Sequence, residues 1–334
     1  MKGDMAAMIA AMNEELILAL DFGGTKLSAA VVARDALRDA RPQWRDHRRR
    51  QTPDGADAAW ELAAMLAMAR EMLPGGRAPA AVGVSFGGPV DYSTGTVRLS
   101  HHVCGWEAMP LREMLEREFG APAAVDNDAN VAALGEHRFG AGRGATDLMY
   151  ITVSTGVGGG WILGGRPWRG HAGMAGEIGH TVVDPAGPLC LCGKRGCVER
   201  LASGPYMAAD WAEGQGSRGA EEKRRGGEGG GPTGRDVAEA AAAGDEAARA
   251  ILLRGARALG VGIGNAANLV NPQRFILGGG VTKAGELWWG EVRRAARATA
   301  LPEVVFDIVP AGLGDDAPLW GAVGLVALHI PGGD

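Results

Sequence analysis

Residues 16–32 read LILALDFGGTKLSAAVV: an apolar run from Leu16 to Leu20, a polar tip around Gly23 and Gly24, and a second apolar run from Leu27 to Val32. Short apolar runs bounded by turn residues read as strands, so the stretch predicts a β-hairpin. The plan recurs at residues 149–165, MYITVSTGVGGGWILGG, where strands from Met149 to Val153 and Trp161 to Leu163 flank a tip from Ser154 to Gly160. One supersecondary unit used twice, about a domain apart, predicts a duplicated architecture.

Helix and strand patterns alternate through the rest of the chain. DAAWELAAMLAMAREML carries helical spacing and stops at Pro74, Gly75 and Gly76. MPLREMLEREFG starts a helix at Pro110, puts Leu111, Met114, Leu115 and Phe119 on one face, and ends at Gly120. In APAAVDNDANVAALGEHRFG a short strand ends in Asp126, Asn127 and Asp128 before a helix begins. Such alternation indicates an α/β fold with mostly parallel pairing. Between Glu213 and Gly234 the chain loses hydrophobicity and periodicity, which predicts a flexible insertion without chemistry. Trp288 and Trp289 are expected in the core or at a subunit contact.

The chain has 334 residues, a formal charge of −5 and an apolar fraction of 46%. That length suits two domains of roughly 150 residues each. The acidic balance argues against nucleic acid, and the basic runs Arg48 to Arg50 and Lys223 to Arg225 lack interleaved aromatics to stack on bases. No stretch approaches the ~18 to 20 apolar residues of a membrane span, and the N-terminal MKGDMAAMIAAM lacks a cleavage site. A cytoplasmic protein is expected, its true start at Met1, Met5, Met8 or Met12.

Three of the four cysteines, Cys190, Cys192 and Cys197, crowd into one stretch with His180 upstream. These supply the Cys₃His set of a closed tetrahedral zinc site; the alternative is a group of reactive or merely buried thiols. Cys104 stands apart and reads as a small buried hydrophobe. The tips DFGGTK and STGVGGG, with LGGGV at Gly278 to Gly280, could bring backbone N–H groups close to phosphate oxygens; either tip could equally be only a turn. Neither fits a P-loop, and no helix follows GVGGG as a dinucleotide fingerprint requires, which disfavours a nicotinamide dehydrogenase. Asp128, at a strand-to-helix junction, is either an N-cap or a carboxylate kept ionised to act as a base.

Together LALDFGGTK, VDNDANVAALGE, STGVGGG, AGEIGHTVVDPAGPLCLCGKRGCVE and LGGGV resemble the ROK family of sugar kinases and sugar-responsive repressors over nearly the whole chain. The resemblance implies an actin-like, hexokinase-type (ribonuclease H-like) α/β fold of two lobes with an interlobe active-site cleft. The corresponding division is an N-terminal lobe of residues 1–125 plus 317–334, and a C-terminal lobe of residues 126–316 holding the base, the second phosphate loop and the zinc site. It further implies that Asp21, Gly23, Gly24, Thr25 and Lys26 form the first phosphate loop, with Asp21 facing hydrated Mg²⁺. Thr155, Gly156 and Gly158 would form the second, and Gly279 and Gly280 would lie beside the adenosine. Asp128 would be the catalytic base, and Gly88, Asn127, Glu177, His180 and Glu199 would hold the sugar. The family more often has Glu at the position of Asp126 and a Pro-containing turn at Phe86-Gly87.

The resemblance also implies what the zinc does. A structural zinc on His180, Cys190, Cys192 and Cys197 would fix the loop whose ends carry Glu177, His180 and Glu199, leaving one ring nitrogen of His180 for a hydroxyl. The expected activity is ATP-dependent phosphorylation of a hexose, glucose at its 6-hydroxyl first, with fructose, mannose, allose or an N-acetylhexosamine as alternatives. A homodimer or larger homo-oligomer is expected, as among relatives. A sugar-responsive repressor would carry a helix-turn-helix, for which the about fifteen residues before the first strand are too few. A non-catalytic sugar-binding protein would need neither Asp128 nor both phosphate loops.

Overall fold

The computed structural model describes residues 14–39, 42–100, 102–214 and 231–328. The alternative start positions and most of the insertion expected at 213–234 lie outside the described residues. The chain divides into two compact units. The first takes the residues up to Arg143, Arg169–Ala175 and those from Asp315 on; the second takes Gly144–Trp168 and Gly176–Gly314.

In the first unit the sheet order is β3-β2-β1-β4-β7. The hairpin strands β1 (Leu16–Phe22) and β2 (Lys26–Ala33) pair antiparallel, and β3 (Asp46–Gln51) adds beyond β2. On the other side of β1, β4 (Ala81–Phe86) and β7 (Ala123–Asn127) run parallel to it. A small ribbon, β5 (Val90–Asp91) with β6 (Thr96–Val97), follows β4. Every residue of β1 and β4 is buried, as parallel strands covered on both faces require. Helix α1 (Ala58–Met72), capped by Asp57, covers one face with Met65 and Met68, joined by α2 (Leu111–Phe119). The last helix, Ala317–Ala327, packs on β1 and β4 and against α3 (Asp128–Phe139).

The second unit repeats this plan in the order β10-β9-β8-β11-β12. Strands β8 (Leu148–Val153) and β9 (Val157–Leu163) form its hairpin, with β10 (Arg166–Trp168) antiparallel outside. Strands β11 (Arg274–Gly278) and β12 (Asp307–Pro310) run parallel beyond β8. Helices α4 (Val198–Ala202), α5 (Gly204–Gly214), α6 (Gly234–Ala242), α7 (Glu246–Val270) and α8 (Glu286–Thr299) complete this unit. Its core takes in Trp288 and Trp289. Among the described residues no helix is long and apolar enough to cross a membrane.

Three details depart from the sequence reading. The second hairpin tip spans only the residues between Val153 and Val157, because Gly158 to Gly160 lie within β9. Gly159 is needed there as a strand residue: a Cβ would meet Met149 Cε at 2.5 Å and the Gly176 carbonyl at 2.7 Å. The break expected between 125 and 126 falls inside the first unit, because α3 packs closely on the last helix and keeps Asp126 to Asp128 with it. Cys104 is exposed, in a loop whose carbonyl at that residue accepts from Ala58 N at 2.9 Å.

The α3 contact is a crossing of two glycine-bearing backbones. A Cβ on Gly321 would sit 1.7 Å from the Val131 carbonyl oxygen, and one on Gly135 would sit 2.4 Å from that of Ala317. The Gly321→Ala variant is therefore expected to lose about 1–3 kcal/mol or more through overpacking. A urea melt unchanged from wild type would contradict this.

Candidate active site

The first unit builds its candidate site at the carboxyl ends of three adjacent parallel strands, where ligands bind in open α/β sheets. Strand register sets Asp21 opposite Ser85 and Ser85 opposite Asp126; the next row holds Phe22, Phe86 and Asn127. All three polar residues are buried. Ser85 Oγ donates to Asp21 Oδ1 at 2.8 Å. Burial nevertheless pushes the Asp21 carboxyl up to about 7; the Asp128 carboxylate adds to the rise, while the Ser85 hydrogen bond, Lys26 and Arg49 oppose it. Asp126 is also raised by burial, against the pull of Arg169.

The turn after β7 gives the cap to Asn127 and not to Asp128. The N-cap of α3 is Asn127, whose Oδ1 accepts from Ala129 N at 3.0 Å and Asn130 N at 3.5 Å. Asp128 is the first helical residue, and its Oδ1 accepts from Ala129 N at 2.8 Å. Asn127 Nδ2 donates both to Asp128 Oδ1 at 2.9 Å and to the Gly88 carbonyl at 3.1 Å. Gly88, Asn127 and Asp128 are thus gathered by one side-chain amide. In the first tip, Gly23 N donates to the Lys26 carbonyl, the Thr25 carbonyl accepts from Thr52 N, and the His102 ring lies against Gly24. The Lys26 ammonium lies 3.7 Å from Asp315.

In the second unit the ends of β8 and β11 meet in register, Thr152 opposite Gly278. Thr155 and Gly156 turn the hairpin, and Gly279 and Gly280 follow β11, with Ser154 Oγ at 3.9 Å from a Cβ placed on Gly280. Gly158 lies outside this group, in β9 opposite Thr152. Glu199, in the first turn of α4, accepts from Val157 N at 3.0 Å and so holds the hairpin tip. Glu177 is exposed just before the short 3₁₀ turn Ile178–His180.

His180, Cys190, Cys192 and Cys197 bring one donor atom each within 4.8 Å of one another. His180 Nδ1 faces Cys190 Sγ at 4.0 Å, and Cys192 and Cys197 approach to 3.5 Å. The loop is tied by bridges pairing Val182 with Cys197 and Leu189 with Arg195. Burial and the neighbouring thiols push Cys197 up to about 12. Three thiols and an imidazole so placed are the donor chemistry of a structural zinc, whose positive charge would favour the thiolates.

Two groups beside the site escaped the sequence reading. Arg169 Nε donates to Asp126 Oδ2 at 2.6 Å, and its guanidinium lies over the Tyr92 ring, 3.5 Å from the centroid. Buried Glu61 accepts from Trp106 Nε1 at 2.8 Å, and Trp106 packs edge-on against Phe22 and Phe86. Both depend on partners remote in sequence, so no local spacing could reveal them.

Two α/β units of one strand order, each led by an antiparallel hairpin with glycine in its tip, define an actin-like, hexokinase-type fold. The chain belongs to the ROK family, whose sequence profile matches residues 17–328. The glucokinase of Halalkalibacterium halodurans is 40% identical over 254 residues, covering 73% of this chain and 76% of that one. A ROK hexokinase from Thermus thermophilus superposes with a TM-score of 0.79 at 32% identity, covering 94% and 98% of the two chains. A ROK family glucokinase from Streptomyces griseus, solved with glucose and AMPPNP, gives a TM-score of 0.73 at 36% identity over 92% and 97%.

Asp21 makes the stability of the protein depend on pH. Its carboxyl is raised from 3.8 to about 7 on folding, so its contribution is full below about pH 4 and is lost as pH rises through about 7. Without added divalent cation, the Tm should fall between about pH 4 and pH 7, and Asp21→Asn should flatten that fall. Equal slopes for the two proteins in thermal melts would contradict the assignment.

Proposed function

We propose that this chain is an ATP-dependent hexose kinase that phosphorylates the 6-hydroxyl of glucose, with Asp128 as general base. The observation that carries the reading is the placement of Asp128 in the first turn of α3, its carboxylate fixed by the Asn127 amide and Ala129 N–H. A helix N-terminus favours the ionised carboxylate, which is the form that accepts the hydroxyl proton. The ROK glucokinase solved with glucose and AMPPNP supports the choice of sugar and nucleotide.

Each unit would contribute its own part. In the first, Gly88, Asn127 and Asp128 would meet the sugar, and Gly23, Gly24, Thr25 and Lys26 would meet phosphate. In the second, Glu177, His180 and Glu199 are assigned to sugar hydroxyls, Thr155 and Gly156 to phosphate, and Gly279 and Gly280 to the adenosine side. Magnesium carried with ATP supplies charge neutralisation for phosphoryl transfer. Asp21 fits that hard cation, because a carboxyl titrating near 7 yields its proton readily to positive charge. With Nδ1 of His180 turned toward Cys190, the imidazole would hold a zinc through that nitrogen and keep Nε2 for a hydroxyl.

Asp128→Asn should lower kcat about 10²- to 10⁴-fold with the fold intact. Near-normal kcat would remove Asp128 from catalysis. A coupled ADP-release assay over glucose, mannose, fructose, allose and N-acetylated hexosamines should be fastest with glucose; sugar binding without ADP release would favour a non-catalytic receptor. Purified protein should carry one zinc per chain, and Cys192→Ser should lose metal and melt earlier; unchanged metal content would refute the zinc assignment.

A further inference from the structure

We propose that Arg169 is a positioning residue for Asp128, acting through Asp126 and Asn127; the inference rests on the kinase reading above. Arg169 opens the segment Arg169–Ala175, which belongs to the first unit although the chain on either side belongs to the second. Its side chain is 17% exposed and that of Asp126 only 3%. The guanidinium is fixed on two sides, by the Tyr92 ring at 3.5 Å and by Asp126 Oδ2 at 2.6 Å. Such stacked and paired geometry suits the planar guanidinium of arginine better than the point charge of lysine.

The two oxygens of Asp126 divide the work. Oδ2 takes the guanidinium, while Oδ1 accepts from Asn127 N at 2.8 Å and Asn130 Nδ2 at 3.3 Å. Asn127, so held, caps α3 and passes its own amide to Asp128 Oδ1 and the Gly88 carbonyl. Four residues therefore form one hydrogen-bonded chain ending on the base. Without the guanidinium, Asp126 is a buried carboxylate stripped of its counter-charge. It then takes a proton or turns toward water, and the acceptor that holds Asn127 is weakened or lost. Displacement of a reacting group by about 1 Å can cost on the order of 10² in rate.

The test compares wild type, Arg169→Leu, Asp126→Asn and the double variant. Arg169→Leu should lower kcat about 10- to 100-fold, leave the KM for ATP within about twofold, and speed hydrogen exchange at the amides of Asn127 to Asn130. The double variant should recover several-fold in kcat over Arg169→Leu, because an amide at 126 keeps the Oδ1 acceptor without a buried charge. If Arg169 only anchors the segment 169–175, the two substitutions add their damage and exchange at 127–130 stays as in wild type; either result overturns the proposal. A wild type that turns over no sugar, but whose 127–130 turn loosens in Arg169→Leu, would condemn the kinase reading and leave the positioning role standing.

Discussion

A carboxyl group buried at the end of a parallel strand must find donors or keep its proton, and the first unit meets that constraint twice at one level of its sheet. Asp126 is answered by the guanidinium of Arg169. Asp21 has the hydroxyl of Ser85 and the more distant charges of Lys26 and Arg49, which leave it raised to about 7. The same row of residues therefore holds one carboxylate paired with a guanidinium and another that burial makes slow to give up its proton. Beneath them Trp106, held by Glu61, wedges against Phe22 and Phe86, the residues that follow Asp21 and Ser85. Stiff packing under the strand ends keeps the polar row in register.

The second unit reaches a comparable end by different chemistry. Its strand ends carry small residues in place of buried acids, and Glu199 reaches up from α4 to hold the hairpin tip through Val157 N. Just before Glu199 comes the cysteine loop, with Cys197 at the residue that opens α4. Any ligand that fixes Cys197 fixes the start of that helix, and through it the carboxylate on the tip. The thiols and the glycine tip thus act as neighbouring parts of one construction.

Much of this was legible in the sequence. The duplicated hairpin, the alternating helices and strands and the Cys₃His set all depend on local pattern, and local pattern is what a sequence displays. The limits of the second tip are hidden in the sequence because glycines 158 to 160 look like turn residues; they are strand positions, and at Gly159 other groups crowd the backbone. Cap and base both suit Asp128 at a strand-to-helix junction, and it takes the fold to show that Asn127 is the cap. Arg169 with Asp126, and Glu61 with Trp106, are products of tertiary approach between distant segments. Cys104 looked like a core residue by type, but its place in an exposed loop is a matter of topology.

Helix α6 begins with a reciprocal lock: Thr233 Oγ1 accepts from Asp236 N at 3.4 Å, while Asp236 Oδ2 accepts from Thr233 N at 2.6 Å. Orphan N–H groups at that terminus are thus satisfied within four consecutive residues. Both of those bonds draw on no residue before Thr233. A fluorophore or an affinity handle inserted just ahead of Thr233 would leave that reciprocal lock in place.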